Sequence, residues 1–235
     1  DSTWATATWS DNAVANLCKI ATCAGASRYT SINGEATGTL PSGYTQLAYL
    51  ESTGTQYINT GVVGKSGISV DALFVANDTT SGSLFGNRMS GNTRFWPAMW
   101  FVNNGTTQWN ATVNTDNFKG TFEANTLYRT SFFSDSNGWT FSVNGKLVSY
   151  GDGVNTSNTN NMYMFGTNNN NSSTLQYPFK GKAYFAKIYE NGVLIKHLIP
   201  AVRDSDGVFG MYDTVNNKFL VNAGSGKFVA GPIIL

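Results

Sequence analysis

Few side chains in this 235-residue sequence can do acid–base or covalent chemistry. Aspartate and glutamate together number 14, and His197 is the single histidine. A glycoside hydrolase needs two carboxyl groups flanking the scissile bond, one as acid and the other as nucleophile or base. The four glutamates, Glu35, Glu51, Glu123 and Glu190, are scattered, and none shares a strand at alternate positions with another acid. The nearest acidic pair is Asp204 and Asp206, ahead of Gly207. It reads as a β-turn with Asx hydrogen bonds. A calcium loop is the sharper alternative, because carboxylates at alternate positions can face one ion, but further acidic ligands are missing. His197 lies in the apolar run Val193–Ile199, where alternation places it on the solvent side. There is no Gly-x-Ser-x-Gly elbow and no Gly-x-x-x-x-Gly-Lys-Ser/Thr loop. No catalytic residue, metal ligand or cofactor is assigned, and the expectation is a protein that is not an enzyme.

Cys18 and Cys23 are separated by four residues. Two thiols so close can form a local disulfide if their Cα atoms come within about 7 Å. So short a loop gains little stability, and the bond would fix a turn. Reduced, buried thiols are the alternative. Zinc is a poor reading, since two more ligands are needed and the only histidine is far away.

Binding chemistry has more support. A sugar receptor wants aromatic faces for C–H surfaces, with amides and hydroxyls around them. The region from Asn87 to Asn110 offers Arg88, Asn92, Arg94, Trp96, Trp100, Asn103, Asn104 and Trp109, and the loop Asn168–Ser173 adds Asn168 and Asn170. The candidate ligand-binding set is Arg94, Trp96, Asn104, Trp109, Asn168 and Asn170. The competing reading is that Phe95, Trp96, Trp100 and Phe101 alternate between core and surface and that asparagines solvate turns. Neighbours in a strand point to opposite faces, so Phe95 and Trp96 are not both core unless both faces are covered.

The elements that must position these groups are nearly all strands. Ser10 or Asp11 caps one short helix with Val14, Leu17 and Cys18 on one side. Residues 24–43 are rich in Gly, Ser and Thr and read as a strand-poor linker. Beyond them come Ile68–Val75, Ser83–Gly86, Arg94–Val102, Thr121–Phe122, Leu127–Phe133, Trp139–Val143, Lys146–Val148 and Met162–Phe165. Lys182–Tyr189, Val193–Ile199, Val208–Tyr212, Lys218–Val221 and Lys227–Ala230 complete the series. Pro97 marks an edge or bulge. Asn144-Gly145 and Asn191-Gly192 suit two-residue type I′ hairpins. Leu47–Gly61 reads as two strands bent at Gly54, with Tyr49 and Tyr57 inward and Glu51 paired or capping locally. So many short strands point to an antiparallel sandwich or barrel.

Leu47-Ala-Tyr-Leu-Glu-Ser-Thr-Gly-Thr-Gln-Tyr-Ile-Asn-Thr-Gly61 resembles the opening signature of the LamG-like branch of concanavalin A-like lectin/glucanase domains, a branch common in bacterial surface and phage tail proteins. Lys187–Gly192, Leu198–Ala201, Asp206-Gly207, Gly210–Asp213 and Asn222–Gly226 are similar to its closing half. The resemblance spans residues 41–231. It implies an antiparallel jelly-roll sandwich whose relatives bind glycans or protein partners. The domain reading is therefore residues 1–40 as an N-terminal segment and 41–235 as the jelly roll.

Charged residues are only 12% and net charge is +1, which gives no electrostatic case for nucleic acid or an anionic membrane. No apolar run approaches membrane-spanning length. No signal peptide is visible, and Asp1 is compatible with the start of a processed or trimmed chain. A surface of neutral hydroxyls and amides suits an extracellular, cell-surface or virion setting. The functional expectation is an adhesion module recognising a glycan or a surface partner. The alternative is an assembly subunit of a fibre or virion that self-associates through residues 1–40. A glycoside hydrolase ranks third.

Overall fold

The computed structural model describes residues 31, 32, 35, 36, 40–89, 93–155, 157–170 and 175–234. The N-terminal helix expectation and the Cys18–Cys23 disulfide lie outside the described residues. Among the described residues there is no helix. In chain order the strands begin with β1 (Ser31–Ile32), β2 (Glu35–Ala36), β3 (Tyr44–Gln46), β4 (Leu50–Thr53), β5 (Ile58–Val63), β6 (Ile68–Ala76) and β7 (Gly82–Arg88). Next come β8 (Arg94–Asn103), β9 (Thr106–Trp109), β10 (Thr112–Val113), β11 (Leu127–Ser134), β12 (Trp139–Val143), β13 (Lys146–Gly151) and β14 (Asn161–Met164). The last are β15 (Gly166–Asn169), β16 (Lys180–Glu190), β17 (Val193–Arg203), β18 (Val208–Asp213), β19 (Lys218–Val221) and β20 (Val229–Ala230). Thr121-Phe122, expected as a strand, is not one. The segment read as strand-poor carries the small antiparallel pair β1–β2.

The strands from β3 onward form two sheets that face each other as a jelly-roll-like sandwich. The larger has 11 strands in the order β13-β12-β11-β6-β16-β17-β18-β19, with β3, β4 and β20 attached. The smaller has 7, in the order β10-β8-β7-β14-β5, with β9 on β8 and β15 on β7. Every pairing is antiparallel except β15 on β7. The alternation that marks each strand as half-buried is visible in β5, where Ile58, Thr60 and Val62 are buried and Asn59 and Gly61 exposed. Between the sheets lies one core containing Phe74, Trp100, Trp109, Phe122, Tyr128 and Phe179. Trp100 stacks on Phe122 at 4.3 Å, and Trp109 stands edge-on to Phe122 at 4.9 Å.

The bend at Gly54 is where the chain changes sheets. β4 belongs to the larger sheet and β5 to the smaller. Gly54 has φ +106°, which a side chain adopts only with strain. Buried Gln56 locks the corner, its Oε1 accepting from the Thr53 N–H at 2.8 Å and the Ser52 hydroxyl at 3.0 Å. Tyr49 and Tyr57 do not enter the core as expected. Leu50, Ser52 and Ile58 point inward, so their neighbours face outward and are half-buried. Glu51 accepts a hydrogen bond from Asn77 Nδ2 at 2.8 Å, a partner distant in sequence rather than local. Pro97 sits at a bulge, as its missing N–H requires, where the β7–β8 register shifts between Phe85 and Asn87. Asn144, Gly145, Asn191 and Gly192 all have positive φ and turn the expected hairpins.

Candidate functional site

Directly opposed residues in a sheet share a face, so the register identifies what the smaller sheet shows on its outer side. Ile58, Met164, Phe85 and Phe95 are in the core. Their neighbours Asn59 on β5, Tyr163 on β14, Gly86 on β7 and Trp96 on β8 therefore turn outward, with Asn59 opposite Tyr163 and Tyr163 opposite Gly86. The next outward row holds Arg88 opposite Arg94. β15 adds Thr167 opposite Gly86 and Asn169 opposite Arg88. A single bridge places Gln176 beside Thr167.

This face carries aromatic rings at its margins. Tyr57 and Tyr163 stack at 4.4 Å with their planes 19° apart. Burial first, and then the neighbouring Tyr57 hydroxyl, raise the Tyr163 pKa above its ordinary value, so its phenol is neutral at physiological pH. Tyr177 meets Trp96 edge-on at 5.8 Å and Phe101 at 5.8 Å. Between the two aromatic groups, Gly86 leaves room for its neighbours to close over the strand. A Cβ there would lie 2.5 Å from Thr167 Oγ1 and 2.9 Å from Trp96 Cδ1, so only glycine admits both side chains.

The polar atoms around Gly86 are unusual. Among the described residues, Trp96 Nε1, Thr167 Oγ1 and Gln176 Oε1 are buried and have no hydrogen-bond partner. An unmet buried donor or acceptor costs about 1–3 kcal/mol, and folded proteins keep few of them. Trp96 is 2% and Thr167 0% exposed, so these atoms lie beneath the Tyr177 ring rather than on an open surface.

The expected binding residues do not gather as one site. Arg94 and Trp96 do meet: the guanidinium lies 4.8 Å from the indole centroid. Arg94 also donates to Asn114 O and to Asp116 Oδ1, each at 2.7 Å. Trp96 was expected as an exposed platform, but it is only 2% exposed. Tyr177 and Thr167 crowd its ring, and its free group is the indole N–H. Trp109, expected beside it, is also 2% exposed. It stands opposite Trp100 and points with it into the core. Asn104 is a hairpin residue: with φ +49° and Gly105 at +78°, it turns β8 into β9 at the opposite end of β8 from Arg94. Asn168 is buried and donates to Asn161 O at 2.8 Å. Asn170 is exposed with φ +53°, and its backbone N–H donates to Arg88 O at 2.8 Å. The sequence reading missed Tyr57, Tyr163, Gly86, Thr167 and Gln176.

Several carboxylates elsewhere are engaged. Asp71 pairs with Arg129 at 2.7 Å, Asp78 with Lys180 at 3.1 Å and Asp206 with Arg203 at 2.6 Å. Asp206 also accepts from the Val208 N–H, the Asx turn expected there, while Asp204 accepts from the Thr45 hydroxyl. Among the described residues, no three His, Cys, Asp or Glu side chains gather in a way that could hold a metal ion. Likewise among them, no helix is long and apolar enough to cross a membrane.

No known family model matches the chain. No curated protein matches its sequence significantly. Solved structures do share its fold. A protein of Bacteroides ovatus ATCC 8483 to which carbohydrate binding is ascribed overlaps with a TM-score of 0.51 at 12% identity, over 81% of this chain and 62% of its own. The heptameric SAP-like pentraxin of Limulus polyphemus overlaps with a TM-score of 0.50 at 9% identity, over 80% of this chain and 94% of its own. At such identities the likeness is one of fold.

Proposed function

We propose that this chain is a non-catalytic glycan-binding module, of the LamG-like branch its sequence resembles, and that the sugar lies on the outer face of the smaller sheet. The observation that carries the reading is the trio of buried, unpartnered polar atoms, Trp96 Nε1, Thr167 Oγ1 and Gln176 Oε1, between two aromatic groups, which a sugar meets by displacing the half-exposed Tyr177 ring. Donor and acceptors set between half-exposed rings suit a ligand with hydroxyls along its edge and C–H bonds on its faces. The carbohydrate binding ascribed to the Bacteroides ovatus protein supports the same class of ligand. The aspartates held in ion pairs support binding without hydrolysis, and the low charge of the chain suits an extracellular, cell-surface or virion setting.

Thr167→Val tests this on an array of neutral and acidic glycans, with a melting curve on the same sample. The substitution keeps the side-chain shape and removes a hydroxyl that the free protein leaves unsatisfied. Binding should weaken about fivefold while the transition stays in place or rises slightly. A wild-type protein that binds nothing on the array, or a variant that binds as well as wild type, overturns the proposal.

An assembly subunit is the second reading, favoured by one patch. Phe133, Thr140 and Tyr150 stand in a row across β11, β12 and β13, on the outward side of the larger sheet. Phe133 is 51% and Tyr150 72% exposed, with Leu147 at 54% nearby. Apolar patches of this kind mark interaction surfaces. Light scattering on wild type and Phe133→Ser/Tyr150→Ser decides it: a multimer that becomes a monomer supports the reading, and a monomeric wild type removes it.

A further inference from the structure

The larger sheet has a second apolar cluster on its outward side, away from the glycan face. Phe74 lies in the core, so Leu73 and Val75 beside it point outward. The register extends this side to Leu127, opposite Val75, and to Phe185, opposite Leu73. The bulge between Ala183 and Phe185 brings Tyr184 to the same cluster. Leu73, Val75, Leu127, Tyr184 and Phe185 are 2% to 9% exposed, although they stand outside the sandwich core.

The apolar face of a sheet is stable only where another layer covers it. The neighbours here form a rim: the Arg129 guanidinium lies 5.6 Å from the Phe185 centroid and the Lys182 ammonium 4.9 Å from that of Tyr49. Tyr49 is the partly buried hydrophobic packed against the cluster among the described residues. The strands from β3 onward all belong to the two sheets and supply no third layer.

We infer that the chain's own N-terminal segment, residues 1–39, docks on this face in cis. Its sequence carries Trp4, Trp9, Val14, Leu17 and Ile20. A stretch this short cannot bury such groups by itself. The chain also arrives in the right place. β3 pairs with β17 at Ala201–Arg203, and soon after it Tyr49 stands against Tyr184, with ring centroids 5.7 Å apart. The residues between Ile20 and Leu40 reach up to about 70 Å when extended, ample to return the apolar positions to the cluster. Docking closes the larger sheet on its outer side and leaves the proposed sugar face untouched.

Trypsin reads this directly, because Lys19 and Arg28 are cleavage sites within the segment. In the full chain, cuts at both should be at least tenfold slower than in a free peptide of residues 1–39. Leu73→Thr/Val75→Thr places a strand-favouring β-branched residue at both positions but makes the face polar, and should speed both cuts at least tenfold while the domain still unfolds cooperatively. Protection should be the same across a hundredfold range of protein concentration. Cleavage of the wild-type chain as fast as the peptide overturns the inference without any variant. So does unchanged protection in a folded double variant. Protection that fades on dilution together with a halving of mass assigns the face to a second copy and equally overturns docking in cis.

Discussion

Asp213 is a fully buried carboxylate whose partner is Lys196, at 2.8 Å. Burial alone would raise its pKa. The hydrogen bonds from Lys196, Asn216 and the His197 N–H, with the charge of Lys196, outweigh that and hold it below the ordinary carboxylate value. A carboxylate depressed in the folded state contributes stability that is present above the unfolded pKa, about 3.9, and lost as pH falls through the folded value. Lys196→Met leaves the charge buried and unpaired. It should cost about 3–5 kcal/mol at pH 7, and the cost should shrink towards pH 3 as Asp213 takes up a proton. Urea titrations across that range check this; a cost independent of pH would mean that packing of the lysine stem, not its charge, matters. Trp109 makes the opposite kind of case. As an exposed platform it would be removable without harm. Packed between Phe122 and Tyr128 at 4.9 Å from each, it should cost about 3–5 kcal/mol as Trp109→Ala.

At the scale of elements, two glycines separate backbone strain from steric exclusion. Gly145 turns the β12–β13 hairpin at φ +77°, and a Cβ there would meet nothing within 4 Å. Gly145→Ala should therefore cost only the left-handed conformation, about 1–2 kcal/mol. Gly181 opens β16 at φ +147°, and a Cβ there would lie 2.1 Å from Val75 O and 2.8 Å from Ala76 Cα. Gly181→Ala must part β16 from β6, the central pair of the larger sheet, and should cost clearly more than Gly145→Ala in the same denaturation series. Equal costs would mean that the sheet yields without losing its pairing. Asn144-Gly145 and Asn191-Gly192 were legible because their chemistry is local. Ile68–Val75 was legible because its composition and the alternation of its first half both favour strand, and Lys218–Val221 by composition alone. β15 was not, since its Asn168 and Asn169 fall in the run Asn168–Ser173 that reads as a loop, and it becomes a strand only through β7. The site was less legible still. Exposure of Trp96 depends on Thr167 and Tyr177, which are distant in sequence, and the role of Gly86 exists only once β8 and β15 approach it. One signal was available: the alternation of Ile58, Thr60 and Val62 already places Tyr57 outward.

At the scale of the molecule, the sandwich is closed by the pairing of an early strand with its last one. β4 bonds to β20, with Leu50 opposite Ala230 and Glu51 opposite Val229, and Leu47 bridges Ile233. The Ala48 N–H donates to Pro232 O at 2.8 Å and the Gly231 N–H to Tyr49 O at 2.9 Å. Phe228, 4% exposed, reaches the core and lies 4.8 Å from Phe165. Removing its ring as Phe228→Ala should cost about 3–5 kcal/mol while the fold survives. Ending the chain at Gly226 removes the same ring and also the bonds to β4, each worth about 0.5–1.5 kcal/mol. A domain commonly has only about 5–15 kcal/mol to lose. The shortened chain should therefore show no cooperative unfolding transition at 25 °C, where Phe228→Ala still does. A shortened chain that melts at the wild-type midpoint would show instead that the closing strand is an attachment to a sandwich already complete without it.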